Sequence, residues 1–154
     1  MWQTKKAVKC SRILKTMCLS PHFIGCFAQD SLSQLDISYP CIFMVNIDSK
    51  HEQGSHWLAI RIDEKSLEIF DPLGFEIFNW KSVPCQLLEF THFHSLNKKL
   101  LISQRIQSDL SEKCALYCCF YAFYRNFTSF QHLCSLFSSN LGENDQKLKQ
   151  LLDA

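Results

Sequence analysis

The stretch from Leu58 to Asp71 constrains this chain more tightly than any other. In Leu58-Ala59-Ile60-Arg61-Ile62-Asp63 and Leu67-Glu68-Ile69-Phe70-Asp71 the Leu and Ile residues alternate with polar or mixed ones, and Asp63-Glu64-Lys65-Ser66 between them reads as a turn. The pattern predicts a β-hairpin. If Ile62 pairs with Leu67 across that turn, Ile60 faces Ile69, Leu58 faces Asp71, and His56 lies one diagonal step from Asp71 on the same side. Diagonal neighbours are roughly 7–8 Å apart at the backbone, a gap that an imidazole and a carboxylate close by reaching toward one another. The carboxylate then fixes the ring tautomer and leaves the other nitrogen as a base. Hairpin ends often carry polar residues for no functional reason, so the pair acquires meaning only beside a third group.

Around the hairpin the pattern is mixed. Apolar positions at Val8, Ile13, Leu14 and Met17 predict an amphipathic helix over 4–18, stopped before Pro21. Phe23–Phe27 reads as a short extended segment and Cys41–Ile47 as a buried strand entered after Pro40. After Pro72-Leu73-Gly74, Trp80–Leu96 is mainly helical with a break at Pro84, and Leu100–Ile106 supplies another strand. Glu112–Arg125 is an almost wholly apolar helix, followed by weaker helical signals at Phe130–Phe137 and Asn144–Leu152. This order predicts one α+β domain over residues 1–154, with a central, mainly antiparallel sheet flanked by helices.

Composition narrows the function classes. The 154 residues are 47% hydrophobic, enough for one core, and a net charge of +1 demands no nucleic acid or acidic membrane. The longest apolar run, Cys114–Tyr124, is too short to span a bilayer. Nine cysteines are an odd count, and Met-Trp-Gln-Thr-Lys-Lys is not followed by an apolar signal core, which predicts reduced thiols in a cytosolic or nuclear setting. His92, His94 and Cys85 lack the partners of a zinc site, so no metal is expected.

Among the nine, Cys114 stands at the start of the apolar helix, with Ser111 as the expected N-cap. There the helix dipole favours thiolate, and a nearby imidazolium favours it further. Cys118 and Cys119 lie one turn deeper in apolar surroundings, where thiols stay neutral. Gln107, seven residues before Cys114, can be brought beside it by the connecting loop, with Gln104 as the nearest competitor. Its carboxamide and the Cys114 amide would form a two-donor hole for an oxyanion. Any one cysteine is more commonly a small core residue, and any one glutamine a loop residue; the combination carries the reading.

Three segments resemble a known family. Gly54-Ser55-His56-Trp57, Phe70-Asp71-Pro72-Leu73-Gly74-Phe75, and Gln107 followed by Cys114-Ala115-Leu116-Tyr117-Cys118-Cys119 are similar to the His-Trp, acidic-Pro-x-Gly-Phe and Gln…Cys-Gly-Leu-Phe-Cys-Cys motifs of adenovirus-type cysteine proteases. Pro21-His22-Phe23-Ile24-Gly25 and Tyr39-Pro40-Cys41-Ile42 also resemble segments of that family, so the likeness runs from about residue 20 to 125. Such proteases also occur in Maverick or Polinton elements and are distant relatives of SUMO and ubiquitin-like-protein proteases.

The resemblance implies a cysteine endopeptidase that processes viral or viral-element precursor proteins at Gly-containing sites. Cys114 would be the nucleophile, His56 the base, Asp71 the group that orients it and Gln107 the oxyanion donor, while Trp57 would shield His56 and line the substrate groove. It also implies a monomer in the host nucleus or cytoplasm, packaged in the virion. Ala115 stands where the family commonly has Gly. Family members are activated by DNA and by a peptide cofactor linked through a cysteine some eighteen residues before the nucleophile. Here that position is Leu96, and no cysteine falls between Cys85 and Cys114, so the sequence itself requires no cofactor and offers no tether there. Lys5, Lys9, Arg12 and Lys15 would be the basic stripe for DNA. The alternatives are a deconjugating protease for a ubiquitin-like modifier, and a non-enzymatic capsid or DNA-binding module on the same fold.

Overall fold

The structure is a computed structural model that describes residues 21–52, 55–74 and 83–154. The expected helix over 4–18, and with it the basic stripe, lies outside the described residues. Five strands form one sheet in the order β1 (Phe23–Ala28), β2 (Cys41–Asn46), β3 (Trp57–Ile62), β4 (Ser66–Phe70) and β5 (Lys99–Ile102). The hairpin has the expected register, with Ile62 opposite Leu67 and Ile60 opposite Ile69. Asp63 secures its turn, since its Oδ1 accepts from the Lys65 and Ser66 amides at 2.8 and 2.7 Å.

The sheet is mixed. Strands β2, β3 and β4 pair antiparallel, whereas β1 joins β2 and β5 joins β4 in parallel. The antiparallel centre comes from the hairpin and its neighbour; the parallel edges are reached through crossovers that leave no turn signature. Strand β5 is also shorter than expected. It stops at Ile102, beyond which Ser103 turns its hydroxyl into the Asp71 backbone, accepting from the amide at 2.7 Å and donating to the carbonyl at 3.0 Å.

Among the described residues four α-helices follow the expected chain order: α1 (Cys85–Ser95), α2 (Cys114–Tyr124), α3 (Phe130–Ser135) and α4 (Leu141–Asp153). Helix α1 begins directly after Pro84, whose fixed φ suits a helix entrance and whose ring is not tolerated inside one. Ser129 caps α3 by accepting from the His132 amide at 3.1 Å.

Both faces of the sheet are covered, which explains why all six residues of β2 are buried. Ile42, Met44, Trp57, Ala59 and Phe70 pack on one face against the apolar helix α2 and its neighbours. Phe43, Val45, Leu58, Ile60, Ile62, Leu67 and Ile69 pack on the other, with Leu32, Leu87 and Phe90. Helix α2 is pinned at its far end by a buried carboxylate. Glu68, 1% exposed, accepts from Arg125 Nε at 2.9 Å and Nη2 at 2.7 Å, and also from the Tyr121 hydroxyl. The Tyr121 ring stacks on Phe70 at 4.7 Å. Paired in this way a buried charge holds its helix in one orientation, while removal of either partner strands the other.

Candidate active site

His56 and Asp71 each stand one residue outside a strand, His56 before β3 and Asp71 after β4. At the sheet end the two side chains turn toward one another, while the His56 carbonyl still accepts from the Ile47 amide beyond β2 at 3.1 Å. His56 Nε2 is 2.7 Å from Asp71 Oδ1, and the two residues are 4% and 0% exposed. Cys114, first residue of α2 and 4% exposed, is the other side-chain hydrogen-bond partner of His56. Nε2 being committed, Nδ1 is the nitrogen left for the sulfur. The structure therefore gathers three of the four expected groups around one imidazole.

Its electrostatics follow from that enclosure. Burial by itself disfavours the imidazolium, but the hydrogen bonds to Asp71 and Cys114, with the electrostatic influence of both, outweigh it and push His56 up to about 9. Asp71 Oδ1 also accepts from the Leu73 amide at 3.0 Å, which fixes the carboxylate within the Asp71–Gly74 turn. Gly74 closes that turn with φ +61°, and a Cβ there would come within 2.6 Å of the Arg105 amide nitrogen. Only glycine meets both the left-handed backbone and the close approach.

The same turn reaches the fourth group. The Pro72 carbonyl accepts from both the Ile106 and Gln107 amides at 2.9 Å, so the segment carrying Gln107 hangs from the turn carrying Asp71. Gln107 is 2% exposed, and its Nε2 donates to the Ser111 carbonyl at 2.6 Å. A carbonyl tolerates only the N–H₂ end of a carboxamide, so the donor end is defined, and one of its two hydrogens is committed. Oε1 is buried with no hydrogen-bond partner among the described residues.

Two expectations change. Ser111 is not the N-cap of α2: Lys113 holds that position without a side-chain bond, and the Ser111 hydroxyl instead accepts from the Lys113 amide at 3.3 Å and donates to Asp145 at 2.9 Å. Trp57 is 1% exposed and packs in the core beneath α2, where its carbonyl accepts from Cys118 Sγ at 3.4 Å, rather than presenting a face to solvent. Leu96, in place of the tethering cysteine, is 56% exposed at the end of α1. Ser103, just past β5, and Asn144 and Asp145 on α4 surround the site and were not singled out by sequence; polar residues on an amphipathic helix carry no mark that separates them from a solvated face.

Comparison with known proteins places the chain in a family. The family model described as adenovirus endoprotease matches residues 23–150. The chain belongs to the adenovirus endoprotease family. Among curated members, the protease of Porcine adenovirus A serotype 3 is 28% identical over 112 residues, 64% of this chain and 53% of that protein. The protease of Bovine adenovirus 2 is 26% identical over 121 residues, 71% of this chain and 57% of that protein. This family member thus spans about half the length of the curated relatives it matches. The crystal structure of an ASFV protease superimposes with a TM-score of 0.60 at 16% identity, covering 99% of this chain and 66% of that one. ChlaDub1 from Chlamydia trachomatis gives 0.58 at 14% identity, covering 99% and 90%. These two likenesses concern the fold.

Proposed function

We propose that this adenovirus endoprotease family member is a thiol endopeptidase with Cys114 as nucleophile. The supporting observation is that one buried imidazole, His56, hydrogen-bonds both to Asp71 and to a thiol at a helix start. An imidazolium and the positive end of a helix both favour ionised sulfur, and Asp71 keeps the ring turned for the exchange.

In the reaction, Cys114 gives its thiol proton to His56, its sulfur adds to the scissile carbonyl carbon, and the carbonyl electrons move to oxygen. The backbone amide of Cys114 and the second amide hydrogen of Gln107 stabilise that oxyanion. His56 passes its proton to the leaving nitrogen as the C–N bond breaks, which leaves a thioester. His56 then takes a proton from water, the hydroxide adds to the thioester, and collapse breaks the C–S bond, releasing the acid while His56 returns the proton to the sulfur. Substrates are viral precursor proteins cut at Gly-containing sites, a reading that rests on the family.

The test is twofold. Iodoacetamide near neutral pH labels Cys114 ahead of the other thiols, and His56→Ala removes that preference; Cys114→Ala abolishes cleavage of Gly-containing peptides. Non-selective labelling that His56→Ala leaves unchanged would remove the basis of the proposal. Ubiquitin-like fusions run in parallel separate precursor processing from deconjugation.

A further inference from the structure

Helix α4 supplies two consecutive residues that hold the loop between Gln107 and Cys114 at both ends. Asn144, fully buried, donates through Nδ2 to the carbonyl of Ile106 at 2.8 Å, immediately before Gln107. Asn144 is itself held at Ser138, donating to its carbonyl and accepting from its amide, each at 2.8 Å. At the other end Asp145 Oδ1 accepts from the Ser111 hydroxyl and from the Tyr117 hydroxyl, both at 2.9 Å, and Oδ2 is 3.6 Å from Lys113 Nζ. These partners bracket the nucleophile: Ser111 and Lys113 precede it, and Tyr117 lies one turn into α2.

The consequence falls on one atom. The Ser111 carbonyl accepts from Gln107 Nε2 and thereby decides where the remaining amide hydrogen points. Ser111 is placed by its hydroxyl on Asp145. From this we infer that Asp145, seconded by Asn144, is a positioning residue for the oxyanion donor: it fixes Ser111, Ser111 fixes the Gln107 carboxamide, and α4 thus sets the stabilisation of the acyl-transfer transition state without touching the substrate. The inference rests on the thiol endopeptidase reading of the site.

The distinction between acyl transfer and alkylation makes it testable. Hydrolysis of a peptide passes through an oxyanion and needs Gln107. Alkylation by iodoacetamide displaces iodide at a saturated carbon, forms no oxyanion and needs only the Cys114–His56 pair. In the full chain, Asp145→Ala is expected to lower kcat on a fluorogenic Gly-containing peptide by about 10- to 100-fold, less than the roughly 10²- to 10³-fold cost of losing such a donor outright. The rate of Cys114 alkylation stays within about twofold. Asp145→Asn, which keeps an oxygen for Ser111 and Tyr117, restores most of the kcat. In a Gln107→Ala background Asp145→Ala adds little further loss, as expected when two residues act through one group. Ser111→Ala, which removes a single hydroxyl, repeats the pattern more mildly and stands in should Asp145→Ala fold poorly.

An unchanged kcat in both variants would overturn the inference. So would a parallel fall in hydrolysis and alkylation, which would make α4 a support for Cys114 itself. A wild-type chain whose Cys114 is alkylated selectively but which hydrolyses no peptide would instead overturn the endopeptidase reading, and the inference with it.

Discussion

The substitution Asp71→Asn probes the electrostatics of the site, because the carboxamide keeps an oxygen for both His56 Nε2 and the Leu73 amide while it removes the charge. His56 is raised from the usual 6.5 to about 9, so folding favours its protonated form. Stability from this source is whole below pH 6.5 and is lost as pH rises toward 9. At about 1.4 kcal/mol per pH unit, that interval corresponds to about 3 kcal/mol, shared between Asp71 and Cys114. Asp71 holds the ring at 2.7 Å through Nε2. Urea denaturation at about pH 6 and about pH 9.5 should therefore show a pH-dependent loss that is smaller in Asp71→Asn than in the wild type by about 1–2 kcal/mol. Peptide cleavage by the variant should fall steeply, since loss of the orienting carboxylate in such a triad costs about 10⁴ in kcat. Equal pH-dependent losses in the two proteins would refute the argument, for they would place the proton affinity of His56 elsewhere than in its partner at 2.7 Å.

Further outcomes follow from the packing. Gly74→Ala introduces a Cβ 2.6 Å from the Arg105 amide at a φ of +61°, and should destabilise the fold by about 2 kcal/mol or more in urea titration; an effect below about 0.5 kcal/mol contradicts the close approach. Glu68→Ala strands Arg125 and should cost about 3–5 kcal/mol by the same measurement, while Cys114 in the folded fraction is alkylated at the wild-type rate. A change in that rate would mean that the pinned end of α2 governs the nucleophile more closely than its first-turn contacts do.

The hairpin was legible because two signals coincide there: aliphatic alternation and a polar tetrapeptide that admits one register. His56 and Asp71 could be paired from that register, and they meet at the sheet end, just before β3 and just after β4. Cys114 was legible only in combination, from its place after a mostly polar loop and before an apolar helix. Edge strands β1 and β5 were visible as extended segments, but parallel pairing is a long-range choice without a local code, so their direction was not. Glu68 looked like the polar half of an alternating strand, and only the arrival of Arg125 and Tyr121 at the end of α2 makes it a buried anchor. Ser111 had the residue type of a cap but spends its hydroxyl on Asp145, thirty-four residues away, a partner that no local pattern announces.

The Pro72 carbonyl, which receives two amides at once, gives the site a common origin of coordinates. The carboxylate that steers the base and the backbone that carries the amide donor are referred to the same oxygen. A displacement of that turn, thermal or mutational, moves both in the same sense, so their separation is steadier than the position of either. The thiol enters from another layer and is tied to this frame at second hand, through Ser111 and the α4 residues that hold it. Misalignment of the sulfur against the other groups should therefore pass through α4, the element on which any ligand or partner that tightens the site would act.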